Sequence, residues 1–402
     1  MYKTLLLVLA LASSPIYLFP SGLPQLADGI FAVFAAMVLS ETLLSRKPLV
    51  ASKPLFPMLL LGIWVLTVQL TWSFFVYDLP LRHPLYYFFN LTVIVSITQF
   101  LFYTANSERI LLNGLRLSLI VSGIGIVLQL SAPGILGATE TPYRITGFFN
   151  NPNQLAYFSL CCLASILALQ QFKVDFRAVP LVAFCFGLIG AIIPTSLTAW
   201  GGLAFLFASI LIANWRRLGQ LSKLVLALPI IATLLLSLDL VTDGMLTDQI
   251  DSRITVFESK VDTIGEERQY ERILAFPQYW IFGAGEGSNY RFKPFDGTEI
   301  HSSLGNIFFS YGAIGLCLLV LFFWRVMRNA PLAAWLLFAA PMFYGLTHMG
   351  LRTTMFWILM IVIWYKYSRN IHKPAESASA PTNPTAKRAC VNEFQNGAVN
   401  GP

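Results

Sequence analysis

Residues 304–324 read LGNIFFSYGAIGLCLLVLFFW, without one charged side chain. An α-helix rises about 1.5 Å per residue, so a run of that length crosses the ~30 Å hydrocarbon layer of a bilayer. Lipid offers no partner to a backbone amide, and only helices and closed barrels pair every amide internally. Similar apolar runs lie near 4–20, 24–44, 55–77, 84–104, 109–132, 152–171, 179–193, 195–213, 221–241, 331–347 and 351–367. The thinnest division is the Pro194-Thr195-Ser196 step between the seventh and eighth runs. The 402 residues are 56% hydrophobic and 12% charged, which excludes a water-soluble globular fold of this size. The expectation is an all-α polytopic membrane protein with about twelve transmembrane helices.

Charge supplies the orientation. With the N-terminus in the cytosol, the short inner segments carry Lys3, Arg46, Lys47, Lys53, Arg109, Lys173, Arg177, Arg216, Arg217, Lys223, Arg325, Arg328, Lys366, Arg369 and Lys373. The short outer segments carry Arg82, Arg144 and Arg352, so the split is 15 to 3 in the positive-inside sense. Nine spans then occupy 1–241, an external loop 242–303, three spans 304–367, and a cytosolic tail 368–402. The first span resembles a signal peptide, with Lys3 ahead of the apolar Leu5 to Leu11, but Pro15 directly after the small residues argues against cleavage.

The external loop holds 11 of the 20 acidic residues and six basic ones, a net charge of about −5. Within it Leu246, Ile250, Ile254, Phe257, Val261 and Ile264 recur at steps of four and three, the spacing of an amphipathic helix. A second helix is expected around Glu266 to Trp280. The tail is rich in Ala, Ser, Pro, Asn and Thr without hydrophobic periodicity, so it reads as disordered.

Several classes drop out. The balance of 27 basic and 20 acidic residues gives +7, but no Lys/Arg tract forms a nucleic-acid arm, so nucleic acid is excluded as a partner. Cys161, Cys162, Cys185, Cys317 and Cys390 show neither C-x-x-C spacing nor a nearby histidine. With no D-x-D pair in the loop and no H-x-x-x-H, neither metal nor cofactor is expected. A twelve-span chain is most often a secondary transporter. Here, however, the one large loop has no counterpart in the first half, and the polar residues cluster near the outer surface rather than at mid-bilayer. That points to chemistry at the outer leaflet.

Three groups of residues carry it. Asn151 followed by Pro152 reads as a helix N-cap and first helical position, with Asn153 just beyond. A helix start there turns free amides outward as an anion site, and Arg144 lies just upstream. His301, in Glu299-Ile300-His301-Ser302-Ser303, sits where the loop re-enters the membrane. Histidine as a residue type titrates near neutrality, which suits a base that takes a proton from a sugar hydroxyl. Glu299 and Glu140 are candidates to orient it; His83, His348 and His372 read as turn or tail residues. The third group is Arg268 and Arg272 followed by Phe282-Gly283-Ala284-Gly285-Glu286-Gly287. No strand precedes that glycine run, so it reads as a tight turn folding the loop back rather than as a nucleotide loop.

Together, Arg-x-x-Gly-x-x-x-x-Pro-Asn-x-x-Ala at a helix start, Arg268 ahead of a Phe-Gly-x-Gly turn, and a histidine opening the next span resemble the O-antigen ligase and polymerase superfamily across residues 140–320. The resemblance implies a polytopic α-helical glycosyltransferase of the inverting GT-C type. It would act on an undecaprenyl-diphosphate-linked glycan at the periplasmic face of a bacterial inner membrane. Arg144 and Arg268 would hold the donor diphosphate, His301 would activate the acceptor hydroxyl, and Asn151 and Asn153 would shape the site. Ligases of that superfamily often carry Asn directly after the histidine, where this chain has Ser302.

The physical chemistry is compatible with that reading, since a diphosphate is already a good leaving group and needs its charge held. A polymerase acts on two lipid-linked diphosphates at once, so a second cationic site is expected, drawn from Arg272, Arg291, Lys293 and Arg352. Polymerase is therefore favoured over a ligase that transfers the glycan to a lipid A-core acceptor. A lipid-glycan exporter is the more distant alternative, with Arg116 as its one deep cation.

Overall fold

The structure is a computed structural model. It describes residues 1–50, 52–132, 144–216, isolated positions between 236 and 255, 269–295 and 299–368. The expected ninth span near 221–241, most of the amphipathic 246–264 helix, Arg268, Glu140 and the tail from 369 onward lie outside the described residues.

Among the described residues the protein is all-helical. The helices are α1 (Tyr2–Ser13), α2 (Leu26–Leu44), α3 (Ser52–Ser73), α4 (Arg82–Tyr103), α5 (Ser107–Ser131), α6 (Pro152–Leu169), α7 (Ala178–Ile192), α8 (Leu197–Asn214), the short α9 (Glu271–Ala275), α10 (Ser303–Met327), α11 (Leu332–Gly345) and α12 (Thr354–Ser368). Seven of them are long and apolar enough to cross a membrane, and α1, α7, α11 and α12 are shorter apolar helices. This is a polytopic membrane protein. Pro194, Thr195 and Ser196 do divide two separate helices, with Thr195 at φ 52° making the turn. Within the expected 266–280 loop helix, the described residues form α9 and a 3₁₀ turn at Pro277–Tyr279, the α-helix stopping ahead of Pro277, which has no amide to continue it.

The centre of the bundle is α6 against α12. Every residue of α6 from Leu155 to Leu169 is buried, as is every residue of α12 from Met355 to Tyr365. A helix apolar all round has no polar stripe to turn outward, so it belongs in the middle. Around this pair α1 packs on α2 and α5, α7 on α5 and α6, α8 along α11, and α10 along α3.

The connections gather at two poles. At the first, Tyr17 donates its amide to the Phe148 carbonyl (3.1 Å), Arg144 Nε donates to the Pro194 carbonyl (3.0 Å), and Ser303 Oγ to the His348 carbonyl (2.8 Å). This is the His301 pole. At the other, Lys366 pairs with Glu108 (2.8 Å), Lys3 with Glu41 (2.7 Å) and Arg116 with Asp175 (3.2 Å). Arg116, expected as a lone deep cation, reaches that pole and is neutralised there by Asp175.

One helix is broken on purpose. Inside α10, Gly312 takes φ 70° and ψ −175°, which frees backbone groups that a continuous helix would pair. The 280–285 segment lies against the break and pairs them. Ala284 and Gly285 donate to the Phe309 and Ser310 carbonyls (3.0 and 2.9 Å), and Ala313 donates to the Trp280 carbonyl (2.6 Å). Trp64 Nε1 from α3 donates to the Tyr311 carbonyl (2.7 Å). A Cβ on Gly312 would run into the Ile281 carbonyl, and one on Gly283 into the Ser310 carbonyl. The glycine-rich run is therefore a backbone clamp, and it carries Glu286 into the bundle.

Candidate active site

A cavity of about 580 Å³ opens at the His301 pole. Asn151 and Asn153 from the start of α6 line it together with His301, His348, Glu299, Asp28, Arg82, Tyr86 and Arg352.

The α6 turn is built as its sequence suggests. Asn151 caps the helix, its Oδ1 accepting from the Asn153 amide (2.8 Å), with Pro152 in the first helical position. Arg144 stands behind this turn rather than in the cavity lining: its Nη2 donates to Asn153 Oδ1 (3.3 Å) and its Nε to the Pro194 carbonyl (3.0 Å). It ties the α5–α6 segment to the α7–α8 turn and puts a positive charge one side chain from the cavity.

His301 lines the cavity just ahead of α10. Its Nδ1 lies 2.6 Å from the Glu299 carbonyl oxygen. A carbonyl only accepts, so Nδ1 is the donor, and the neutral ring in that tautomer would present at Nε2 the lone pair a general base needs. Ser302 then caps α10, its Oγ accepting from the Gly305 amide (3.1 Å). Ser303 donates to the His348 carbonyl and accepts from the Gly350 amide, each at 2.8 Å. That hydroxyl fixes the α11–α12 turn to the start of α10, and with it a second histidine. His348 stacks on Tyr344 (4.4 Å between ring centres), and Tyr344 donates its hydroxyl to the Asn153 carbonyl (2.8 Å).

Beneath His301 lies a buried carboxylate. Glu286, 2% exposed, accepts from Asn306 Nδ2 (2.8 Å), Tyr311 OH (2.6 Å) and Arg352 Nη2 (2.5 Å). Gln69 of α3 pairs with its backbone in both directions, accepting from the amide (2.9 Å) and donating to the carbonyl (2.8 Å). Burial alone would push the carboxyl up, but the Arg352 charge, His83 and the hydrogen bonds outweigh it and hold Glu286 at about 2. The same Arg352 nitrogen reaches Glu299 Oε2 (2.8 Å). His83, equally buried, stands 3.7 Å from Glu286.

The cations expected to make a second site are placed differently. Arg272, 2% exposed, lies over Phe292 (5.3 Å) and donates to Asn289 (3.1 Å) and to the Phe295 carbonyl. Arg291 lies over the same ring (4.6 Å) and donates to the Ala284 (2.9 Å) and Gly287 (3.1 Å) carbonyls. Both brace the 271–300 segment, whose own small core is Ala284, Phe292, Ile300 and Phe309. Arg352 reaches the cavity with its charge shared between two carboxylates, and Lys293 is exposed. Arg82, which is exposed, also lines the cavity.

Fold and site thus define a polytopic α-helical membrane protein with a polar, histidine-bearing cavity at one pole. Compared with protein-family models and with curated proteins, the chain matches none.

Proposed function

We propose that the protein is a membrane glycosyltransferase that moves a glycan from an undecaprenyl-diphosphate carrier to an acceptor hydroxyl. Its likeness to the O-antigen ligase and polymerase superfamily rests on the Arg144–Ala156 and His301 motifs. In this reading the cavity faces the periplasm from a bacterial inner membrane, both termini are cytosolic, and the chain crosses twelve times.

The observation that supports it is the meeting, in one cavity, of a histidine whose Nδ1 is engaged by the Glu299 carbonyl and a helix start backed by Arg144. His301 Nε2 takes the acceptor proton, the acceptor oxygen attacks the anomeric carbon, and the bond to the diphosphate breaks with inversion. The positive end of the α6 dipole, with the Arg144 charge behind it, stabilises the charge left on the diphosphate through its field. Ser302 fits the same scheme, because Ser and Asn are near-equal N-caps.

Polymerisation onto the next lipid-linked repeat is the leading version. Its support from spare cations narrows to Arg82, since Arg272 and Arg291 are engaged in the loop. Transfer to a lipid A-core acceptor, as by a ligase, therefore stands beside it as the second reading. Export has less support, because Arg116 pairs with Asp175 at the far pole.

Purified protein given an undecaprenyl-diphosphate glycan should form a longer glycan and release the carrier diphosphate. Arg144→Lys should insert normally and lose about 10- to 100-fold in rate, since one ammonium does not reproduce two directed guanidinium bonds. An unreactive parent, or a lysine variant at the parental rate, overturns the reading. A deletion strain separates the versions: single repeats on core or carrier mark a polymerase, and long polymer stranded on the carrier beside bare core marks a ligase.

A further inference from the structure

We propose that Glu286 is a positioning residue for His301, acting through Arg352 and Glu299; the proposal rests on the reading of His301 as the acceptor base. The connection runs through three contacts that link four residues. Glu286 Oε1 holds Arg352 Nη2 (2.5 Å), that nitrogen holds Glu299 Oε2 (2.8 Å), and the Glu299 carbonyl holds His301 Nδ1 (2.6 Å). Each link constrains the next, and the last one sets both the ring plane and the tautomer.

The anchor end is rigid. The Glu286 carboxylate is held by Asn306 and Tyr311 of α10 and its backbone by the Gln69 carboxamide, on a turn whose glycines are clamped to the α10 break. The cavity end is softer, since Glu299 and Arg352 side chains are 29% and 25% exposed. A buried ion pair contributes little net stability, because desolvating both charges cancels most of their attraction. The carboxylate at 286 therefore has a better explanation in what it orients than in what it stabilises. Two features separate orientation from general support. Arg352 is shared by exactly two carboxylates through one nitrogen, and the second belongs to the residue whose carbonyl fixes His301. His348, in the same cavity, is fixed by a different set of groups: Ser303, Thr347 and Tyr344.

That contrast supplies the test. In detergent-purified full-length protein, carbethoxylation by diethyl pyrocarbonate at fixed pH is followed at each histidine by peptide mass spectrometry, with no substrate present. Glu286→Gln should change the His301 rate severalfold and leave the His348 rate at the parental value. Glu299→Gln, at a half-exposed side chain, breaks the same chain without disturbing the buried anchor and should do likewise even where Glu286→Gln fails to fold. In the transfer assay both variants should lose about 10- to 100-fold in kcat with donor KM unchanged, and the double variant should be no worse than the stronger single one. Unchanged His301 rates in the folded variants, or equal changes at His301 and His348, overturn the proposal. A parent that transfers no glycan, yet shows the coupling between Glu286 and His301, removes the function and keeps the positioning role.

Discussion

The two poles of the bundle handle charge in opposite ways. At the Lys366 pole two ion pairs are wet, with Glu41 and Glu108 side chains 40% and 39% exposed and each meeting a lysine from another helix, while Arg116–Asp175 is drier at 9% and 16%. Wet pairs contribute roughly 0–1 kcal/mol. They pin helix ends and ask little of the sequence around them. At the His301 pole Glu286 is 2% exposed and every oxygen is engaged. Charge is cheap to keep in the wet pairs and costly at Glu286, and under the proposed function that cost goes with holding the geometry around His301.

The largest expected effect is at the cavity itself. His301→Ala should lower transfer by about 10²- to 10⁴-fold, the usual contribution of a positioned general base, and should still bind the lipid-linked donor. Turnover and donor binding, measured on the same purified variant, should therefore separate. Parental turnover would pass the base role to the Glu299 carboxylate or to His348 and would make the two poles chemically alike.

Next comes the buried carboxylate. Glu286→Ala leaves Arg352 with Glu299 alone and removes the buried acceptor of Asn306 and Tyr311, so it should cost about 1–3 kcal/mol, read as a fall in thermal midpoint in detergent. Acid should act through the same group. Glu286 is held at about 2 in the folded protein against an ordinary 4.5, so its contribution is fully present above pH 4.5 and fades as pH falls toward about 2. The parent midpoint should drop more steeply through that window than that of Glu286→Gln. Parallel curves would show that the carboxylate contributes no more than an exposed one.

The spans were legible because each is a long apolar run closed by proline, glycine or charge, a signal that needs no knowledge of neighbours. Asn151-Pro152 was legible for the same local reason: a cap and a first-turn proline are set by adjacent residues. The α10 break was not. Gly312 sits in an apolar run like any small residue of a span, and the break is paid for by a segment arriving from residues 280–285. Arg272 and Arg291 look like free loop cations in sequence, because nothing local shows that Phe292 and Phe309 come to lie beneath them. Glu286 drew no notice inside a glycine run, and the one local signal was a carboxylate where only backbone flexibility was required. His348 reads as a turn residue until Ser303, far off in the chain, ties that turn to His301.

The smallest effect belongs to the wet pole. Lys366→Met removes the partner of Glu108, in a pair whose lysine is 12% and glutamate 39% exposed. The loss should be about 0.2–1 kcal/mol at low salt, since the glutamate stays hydrated when left alone. Ionic strength should weaken it: at roughly 1 M salt the screening length falls to about 3 Å, comparable to the 2.8 Å contact. The Glu286→Ala loss should persist in the same buffer, because its charges meet where little solvent enters. Thermal midpoints of the two variants at low and high salt give the comparison directly. A Lys366→Met loss that equals the Glu286→Ala loss and survives salt would mean the bundle is braced equally at both ends, and burial at the His301 pole would no longer single it out as the site of chemistry.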